Sequence, residues 1–178
     1  MHIDIVIGLL IGWGVSALTG EPALWLALFG TFSALAPDID FIVWLARHHW
    51  KTDRFVHEHR DLLHHPFFFS VLGGLGIALI YPAAGLTWCL ATLWHFIHDT
   101  FDGGWGIRWE SPFRGGYYML TGDYQLQYIG SREEQRALAA EHGNPNWSDE
   151  YLRPDKKKIM LFILLIVIVI AIIWYLAR

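Results

Sequence analysis

The chain has 178 residues, of which 54% are hydrophobic and 17% are charged, and its formal net charge is −4. With a mean hydropathy of +0.32, the composition excludes an ordinary soluble domain and is typical of one compact membrane unit. The acidic balance gives no support for duplex nucleic acid as a partner. The single cysteine, Cys89, cannot form an internal disulfide, and we interpret it as a small core residue.

Four apolar stretches in the first part of the chain predict membrane helices, because about 20 apolar residues cross a hydrocarbon core of ~30 Å. In chain order they are residues 3–18, residues 23–36 with a continuation past Pro37 to residue 46, residues 67–81, and residues 83–97. The last two are short, at about 22 Å each from a rise of ~1.5 Å per residue. This pair is therefore either two thin spans or a re-entrant hairpin.

The clearest predicted span lies in the last part of the chain and carries no charge. Residues 159–175 end with Trp174 and Tyr175, which suit the membrane interface. The sequence therefore predicts an all-α, multi-pass membrane helical bundle of about five transmembrane helices, forming a single integral-membrane domain over residues 1–178. Within it we expect a metal-site core over 1–113, a longer cytoplasmic loop over 103–158 and a C-terminal transmembrane helix over 159–177.

The long loop 103–158 contains one predicted helix. Ser131 and Glu134 have the spacing of a capping box, and Gly143 can end the helix that starts there. We therefore expect a cytoplasmic helix near residues 132–142, with its charged side chains in solvent.

Lysine and arginine are distributed unevenly over the predicted topology. Alternating five spans places the N-terminus, loop 47–66 and loop 103–158 on one side, together with every Lys and Arg except Arg178. The positive-inside rule makes this side cytoplasmic and puts the C-terminus outside the inner membrane. The same topology brings three polar clusters, at residues 37–40, 57–66 and 95–102, to the cytoplasmic face.

The first polar cluster is Pro37-Asp38-Ile39-Asp40. Proline lacks an amide hydrogen and disfavours helix at the preceding residue, so an unwound turn here would let Asp38 and Asp40 converge on one centre. On a regular helix they would point apart, as a helix cap and a surface residue. An aspartate at membrane depth costs roughly 2.5–3.5 kcal/mol, which favours a use such as metal binding.

The second cluster is HEHRDLLHHP, residues 57–66. On a regular helix His59 and His64 would lie about 140° apart, so joint ligation requires a break between them. Arg60 is the natural holder of an anionic group, because its planar fork fits phosphate or carboxylate. Asp61 and His65 are candidate general bases. The alternative is a histidine-rich loop at the membrane surface.

The third cluster ends the fourth predicted span. Thr92, His95, Asp99 and Asp102 recur at three- and four-residue spacing and therefore line one stripe of a helix. His95 and Asp99, one turn apart, can ligate one metal ion, and Asp102 is a third candidate base. His2 begins the first span on the same face, either as a further ligand or as part of a frayed terminus.

The candidate ligands are histidine nitrogens and aspartate oxygens, without thiolate. This set suits Zn²⁺, Mn²⁺ or iron and argues against a structural zinc site of the cysteine type. The candidates exceed the needs of one tetrahedral ion, and two-metal centres are well suited to phosphoester hydrolysis. We therefore expect one or two divalent ions, with zinc favoured.

Together these motifs resemble the membrane-bound, metal-dependent hydrolase family of the LexA-regulated, YdjM type. That family shows an N-terminal His, a Pro-Asp-x-Asp element, a His-Arg-Gly-x-Thr-His-Ser element, and a His-x-x-x-Asp element followed by Gly and Pro-Phe. The matching residues are His2, Pro37, Asp38, Asp40, His59, Arg60, His64, His95, Asp99, Gly103, Gly104, Pro112 and Phe113.

The resemblance covers residues 2–113 and implies a multi-pass metallohydrolase with ligands similar to those of zinc phospholipase C. Three positions depart from the family pattern, with Asp61 for Gly, Leu63 for Thr and His65 for Ser. These changes add one carboxylate and one imidazole to the second cluster.

We therefore predict a membrane-embedded hydrolase that cleaves a phosphoester with a metal-activated water at the cytoplasmic interface. The predicted metal ligands are His2, Asp38, Asp40, His59, His64, His95 and Asp99. The base would be Asp61, His65 or Asp102, and Arg60, with Arg108 as a second, would hold the anionic group.

Membrane lipids surround the predicted bundle, and a lipid-linked phosphate is favoured over a small soluble anion such as a nucleotide. Two alternatives remain open. One is a membrane di-iron oxidase or desaturase, and the other is a non-catalytic metal-binding or transport protein.

Overall fold

The computed structural model describes residues 2–101, 105–120 and 125–146, together with residues 159–160, 163–164, 166–168, 171 and 175. Most of these residues are helical, as the sequence predicts. The helices are α1 (His2–Thr19), α2 (Ala23–Leu35), α3 (Ile39–Arg47), α4 (Arg60–Leu63), α5 (Gly73–Ala78), α6 (Pro82–Phe101) and α7 (Arg132–His142). Two 3-10 turns, Ala36–Asp38 and Val56–His59, and a π-helical segment, Phe67–Leu72, lie between them.

The chain divides into two compact units. The first comprises Met1–Ala36, Ser70–His95 and Pro154–Arg178, and the second comprises Pro37–Phe69 and Phe96–Arg153. Three of the boundaries fall within helical segments: one follows Ala36, one follows Phe69 in the π-helical segment, and one passes through α6 after His95.

In the first unit, α1 and α2 approach each other at glycine positions. A Cβ atom on Gly12 would lie 1.9 Å from the carbonyl oxygen of Leu26, and one on Gly30 would lie 2.1 Å from that of Gly8. No larger residue fits this crossing without moving a backbone. Such close contacts between small residues are typical of helices packed in membranes, where van der Waals contact replaces the hydrophobic effect.

One helical run in the described part of the chain is long and apolar enough to cross a membrane. It is Ala23–Arg47, 25 residues that join α2, the first 3-10 turn and α3. The apolar helices Ile3–Thr19 and Phe67–Ala78 are shorter. The described residues thus contain one clear candidate for a membrane span, whereas the sequence predicts about five. The other predicted spans remain predictions. Most of the predicted span 159–177 lies outside the described residues, and its described positions are helical.

The second unit contains a β-hairpin that the sequence analysis did not predict. Its strands are β1 (Tyr117–Leu120) and β2 (Leu126–Ile129), which pair antiparallel with Tyr117 opposite Ile129. The hairpin lies inside the predicted loop 103–158, so that loop carries regular structure besides its helix.

The helix predicted near residues 132–142 is confirmed as α7. The hydroxyl oxygen of Ser131 accepts a hydrogen bond from the amide of Glu134 at 3.1 Å, and Gly143 follows the last residue of the helix. The buried side chain of Gln135 donates to the carbonyl oxygen of Trp105 at 2.7 Å, which ties α7 to the segment before the hairpin.

A small apolar cluster in the second unit sets the position of the polar residues. Trp44 and Leu45 of α3 pack against Val56 at the start of the second 3-10 turn. This contact brings Val56–His59 beside α3, and the histidines therefore approach the aspartates that begin that helix.

Candidate metal centre

Asp40 lies in the first turn of α3, directly after the 3-10 turn that contains Pro37. Its side chain is 1% exposed, and its Oδ2 accepts a hydrogen bond from the amide of Leu63 at 3.0 Å. Asp38, at the end of the 3-10 turn, has a side chain that is 29% exposed. The helical run tightens to a 3-10 turn at Pro37 instead of unwinding as the sequence predicts, and both aspartates still approach the histidine cluster.

His59 is held in one tautomer by the backbone. Its Nδ1 lies 2.6 Å from the carbonyl oxygen of Val56. Because a carbonyl can only accept, Nδ1 carries the proton and Nε2 keeps its lone pair. That Nε2 lies 3.7 Å from Asp38 Oδ1 and 4.0 Å from Asp40 Oδ1. Metal-ligating histidines commonly bind a backbone carbonyl through the other ring nitrogen in this way.

His64 lies directly after α4 and is fully buried, at 0% exposure. Its Nδ1 is 3.2 Å from Asp40 Oδ2, and its Nε2 is 3.0 Å from Asp99 Oδ2. The ring centroids of His59 and His64 are 5.5 Å apart. The change from a 3-10 turn to the four-residue α4, which ends before His64, supplies the break that joint ligation requires.

We call Asp40, His59 and His64 the first set, and each offers one ligand atom within 4.8 Å of the others. Two ligands on one ion with bonds of ~2.0–2.2 Å lie roughly 3–4 Å apart, which agrees with the distances above. Asp40 Oδ1 and His59 Nε2 are both buried, and neither has a hydrogen-bond partner in the described part of the chain. Buried polar atoms are rarely left without a partner, and a cation shared between them would satisfy both.

Asp38, His64 and Asp99 also offer ligand atoms within 4.8 Å of one another. Asp99 belongs to α6 and is 5% exposed, and His95, one turn earlier on the same helix, is 1% exposed. The i, i+4 spacing places these two side chains on one face of α6, as the sequence predicts. Ligation of a metal ion by Asp38, His95 and Asp99 remains a prediction.

Arg60 contacts Asp99, whereas the sequence predicts that it holds an anionic group of the substrate. Its guanidinium donates to Asp99 Oδ1 at 2.9 Å and to the Asp99 carbonyl oxygen at 3.3 Å, and the residue is 4% exposed. The anion-holding role remains a prediction, but these contacts support a role in fixing Asp99. Arg108, the second candidate for holding the anionic group, lies over the ring of Tyr117 at 4.6 Å. It donates a hydrogen bond to the Tyr117 hydroxyl.

Asp61, a candidate base, is held by three groups from distant parts of the sequence. Its Oδ1 accepts from the Tyr117 hydroxyl at 3.0 Å and from the Trp105 indole at 3.3 Å. Arg132 lies 2.9 Å from its Oδ2. The carboxylate therefore has a fixed position beside the first set, and it takes no part in that set.

Glu58 joins α7 to the turn that carries His59. Arg132 and Arg136 lie 2.7 and 3.1 Å from its carboxylate. Burial raises the pKa of Glu58, but the hydrogen bonds and charges of the two arginines outweigh this and hold the pKa below its ordinary value. The sequence analysis missed this contact, because Glu58 and Arg136 lie 78 residues apart and no local pattern connects them.

His65, the second candidate base, has a separate environment. Its Nδ1 lies 2.9 Å from the Ser111 hydroxyl, and its Nε2 lies 3.3 Å from the Asp61 carbonyl oxygen. Burial lowers the pKa of His65. Asp102 and the side chain of His2, the remaining predicted site residues, lie outside the described residues.

A cavity of about 380 Å³ opens beside the first set. Its walls include Asp40 and His59, the polar residues Glu58 and Asp61, and the apolar residues Val43, Trp44 and Leu62; Arg47, His48 and Arg132 complete its lining. A small substrate group in this cavity would lie next to the two buried atoms that lack hydrogen-bond partners.

These features define a helical protein with a candidate membrane span and a buried His–Asp cluster able to hold a metal ion. A model of the YdjM inner membrane protein family matches residues 2–178, and the chain belongs to this family of inner membrane proteins. The resemblance to the YdjM family seen in the motifs is thereby confirmed and extends over the C-terminal part, while the hydrolase activity that it implies remains a prediction. No curated protein and no solved structure matches the chain.

Proposed function

We propose that this chain is a metal-dependent hydrolase that cleaves a phosphoester at the cytoplasmic surface of the inner membrane. Asp40, His59 and His64 would hold a divalent ion, and their nitrogen and oxygen donors favour zinc. The observation that supports this most strongly is the pair of buried atoms Asp40 Oδ1 and His59 Nε2, which face each other at 4.0 Å. When bound, such an ion activates water for attack and stabilises the leaving oxygen.

His64 is oriented by a chain of buried contacts. Its Nδ1 is hydrogen-bonded to Asp40 Oδ2 at 3.2 Å, and its Nε2 lies 3.0 Å from Asp99 Oδ2, whose other carboxylate oxygen accepts from Arg60. A carboxylate can only accept and a neutral imidazole has one lone pair, so Nδ1 would carry the proton and Nε2 would keep the lone pair for a metal ion. A carboxylate behind a ligating histidine fixes its ring and raises its basicity. A second ion at Asp38 and Asp99 remains a prediction.

Asp61 is the proposed general base among the candidates. It lines the cavity together with Asp40 and His59, so a water bound there would share the cavity with its carboxylate. Tyr117, Trp105 and Arg132 keep the carboxylate in place, and a fixed base next to the attacking water is what proton transfer requires.

The cytoplasmic location of the site and the lipid-linked substrate are part of the proposal. The first follows from the positive-inside distribution of Lys and Arg. The second is supported by the position of the cavity, because Val43 and Trp44 on its wall belong to α3, within the apolar run Ala23–Arg47.

Metal analysis of the detergent-purified full chain tests this function first. The wild type is compared with Asp40→Asn, His59→Ala and the control His142→Ala, whose side chain is exposed on α7. We expect one or two zinc or manganese ions per chain in the wild type and the control, and at least one fewer in the other two variants.

Hydrolysis of phosphate monoesters and diesters, soluble and lipid-linked, is then measured with the same proteins. Asp61→Asn should keep its metal and lose most of its activity. Absence of stoichiometric metal after reconstitution with zinc, manganese or iron would overturn the metal site. Stoichiometric metal without turnover of any phosphoester would overturn the hydrolase and leave the metal site in place.

A further inference from the structure

The cavity beside the first set has two arginines in its lining, and they differ in what they already bind. Arg132 lies 2.7 Å from Glu58 and 2.9 Å from Asp61, so its charge is matched within the protein. Arg47 forms no ion pair among the residues that the structure describes. Its guanidinium is exposed and lines the same cavity as Asp40 and His59.

We propose that Arg47 binds the phosphate group of the substrate in this cavity, next to the metal-binding set. The inference rests on the proposed function and names a recognition residue that the sequence motifs did not indicate. A planar guanidinium binds phosphate through two parallel hydrogen bonds. A phosphate held by Arg47 would occupy the cavity beside α3, whose wall Asp40 and His59 also form.

The charges around the cavity support an external anion at Arg47. Three carboxylates line it, and two of them, Glu58 and Asp61, are already bound to Arg132. The third, Asp40, belongs to the first set, where a divalent ion would offset its charge. Arg47 therefore has no internal carboxylate to neutralise, and an anionic phosphate ester would supply the matching negative charge.

The position of Arg47 in the chain determines the depth in the membrane at which it would bind a phosphate. It is the last residue of the apolar run Ala23–Arg47. The chain then turns sharply, with His49 and Trp50 both at positive φ, 53° and 61°, and Trp50 is 70% exposed. Arginine and tryptophan at the end of a span are typical of the headgroup layer.

The apolar part of the cavity wall suits a chain attached to the phosphate. Val43 and Leu62 line the cavity and are 40% and 58% exposed. Phosphate esters reach this depth from two sources, a lipid headgroup in the membrane or a soluble ester in the cytoplasm. The shared chemistry is the phosphate at Arg47, and an attached alkyl chain distinguishes the two sources.

Equilibrium binding of alkyl phosphonates tests this inference without requiring turnover, because a phosphoesterase does not cleave the carbon–phosphorus bond. Isothermal titration calorimetry on the zinc-reconstituted full chain in detergent would compare methylphosphonate with octylphosphonate. The variants are Arg47→Gln, Arg47→Lys and the control Arg114→Gln, whose side chain is 77% exposed and pairs with Glu110. Metal content is measured for each protein.

We expect Arg47→Gln to weaken binding of both phosphonates by about tenfold or more, because hydrogen bonds to charged groups are the strong ones. Arg47→Lys should lose less, since it keeps the charge and loses the fork. Tighter binding of octylphosphonate than of methylphosphonate in the wild type would assign the lipid source, and equal binding would assign the soluble source.

Binding by Arg47→Gln within twofold of the wild type would overturn the inference, as would an equal loss in Arg114→Gln. The result is independent of catalysis. If the wild type binds phosphonate through Arg47 but hydrolyses no phosphoester, the proposed function fails and the binding site stands. If the wild type hydrolyses phosphoesters and Arg47→Gln binds phosphonates normally, the proposed function stands and the binding role of Arg47 fails.

Discussion

Replacing Asp40 by asparagine should change the stability of the protein in opposite directions with and without metal. Asp40 Oδ1 and His59 Nε2 are buried at 4.0 Å from each other, and neither finds a hydrogen-bond partner within the described residues. An asparagine can donate from its amide nitrogen to His59 Nε2 and still accept from Leu63 through its oxygen. The substitution therefore satisfies both orphaned positions.

The magnitude follows from the cost of a buried unsatisfied polar group, about 1–3 kcal/mol. Metal-free Asp40→Asn should be more stable than the metal-free wild type by about that amount. Zinc at 100 times its dissociation constant should stabilise the wild type by about 2.7 kcal/mol. The variant, which has lost an anionic ligand, should gain much less, so zinc should reduce or reverse the difference between the two proteins.

Thermal unfolding in detergent, with a chelator and then with a zinc titration, measures both effects. Glu141→Gln, at a side chain that is 73% exposed, is the matched loss of one carboxylate and should follow the wild type throughout. The reasoning is refuted if zinc raises the midpoints of Asp40→Asn and the wild type equally. It is also refuted if metal-free Asp40→Asn is less stable than the metal-free wild type.

Three further predictions concern the surroundings of the site and the packing of the first unit. Arg60→Met should lower the free energy of unfolding by about 3–5 kcal/mol, because it leaves Asp99 buried without its cation; a loss below about 1 kcal/mol in denaturant titration would contradict this buried pair. Gly12→Val should reduce the yield of folded protein in size-exclusion chromatography, since a Cβ there meets backbone at 1.9 Å, whereas Gly14→Val, with nothing within 4 Å, should not. The pKa of Glu58 is below its ordinary value of 4.5, so its ion pairs stabilise the fold above that pH, and this stability is lost as the pH falls through the lower folded value. Glu58→Gln should therefore flatten the acid side of a stability-against-pH curve, and an unchanged curve would argue against these ion pairs.

The sequence predicted the elements that local chemistry determines. Helix α7 begins and ends where the capping box at Ser131 and the glycine at 143 indicate. At Pro37, where proline removes an amide donor, the chain departs from the α-helix as a 3-10 turn, although the sequence indicated an unwound turn there. The break between His59 and His64 was required by their five-residue spacing, and the structure contains it.

What the sequence could not predict depends on contacts between distant residues. Strands β1 and β2 have only four residues each, too few for an alternating pattern to stand out. The partners of Asp61 and Glu58 come from segments 44 to 78 residues away. Arg60 was assigned to an anion because its contact with Asp99, 39 residues later, has no local signature.

The separation of the ligands along the chain has a consequence for biosynthesis. Asp40 precedes His64 by 24 residues, and at ~5–20 residues per second His64 is added about 1–5 s later. Until then the first set offers a metal ion one carboxylate and one imidazole, too few donors for tight capture. The glycine-lined pair α1 and α2 is complete before any ligand of the first set has been made. Loading of an ion into this set would therefore be a late event, which the ribosome delays by the order in which it adds residues.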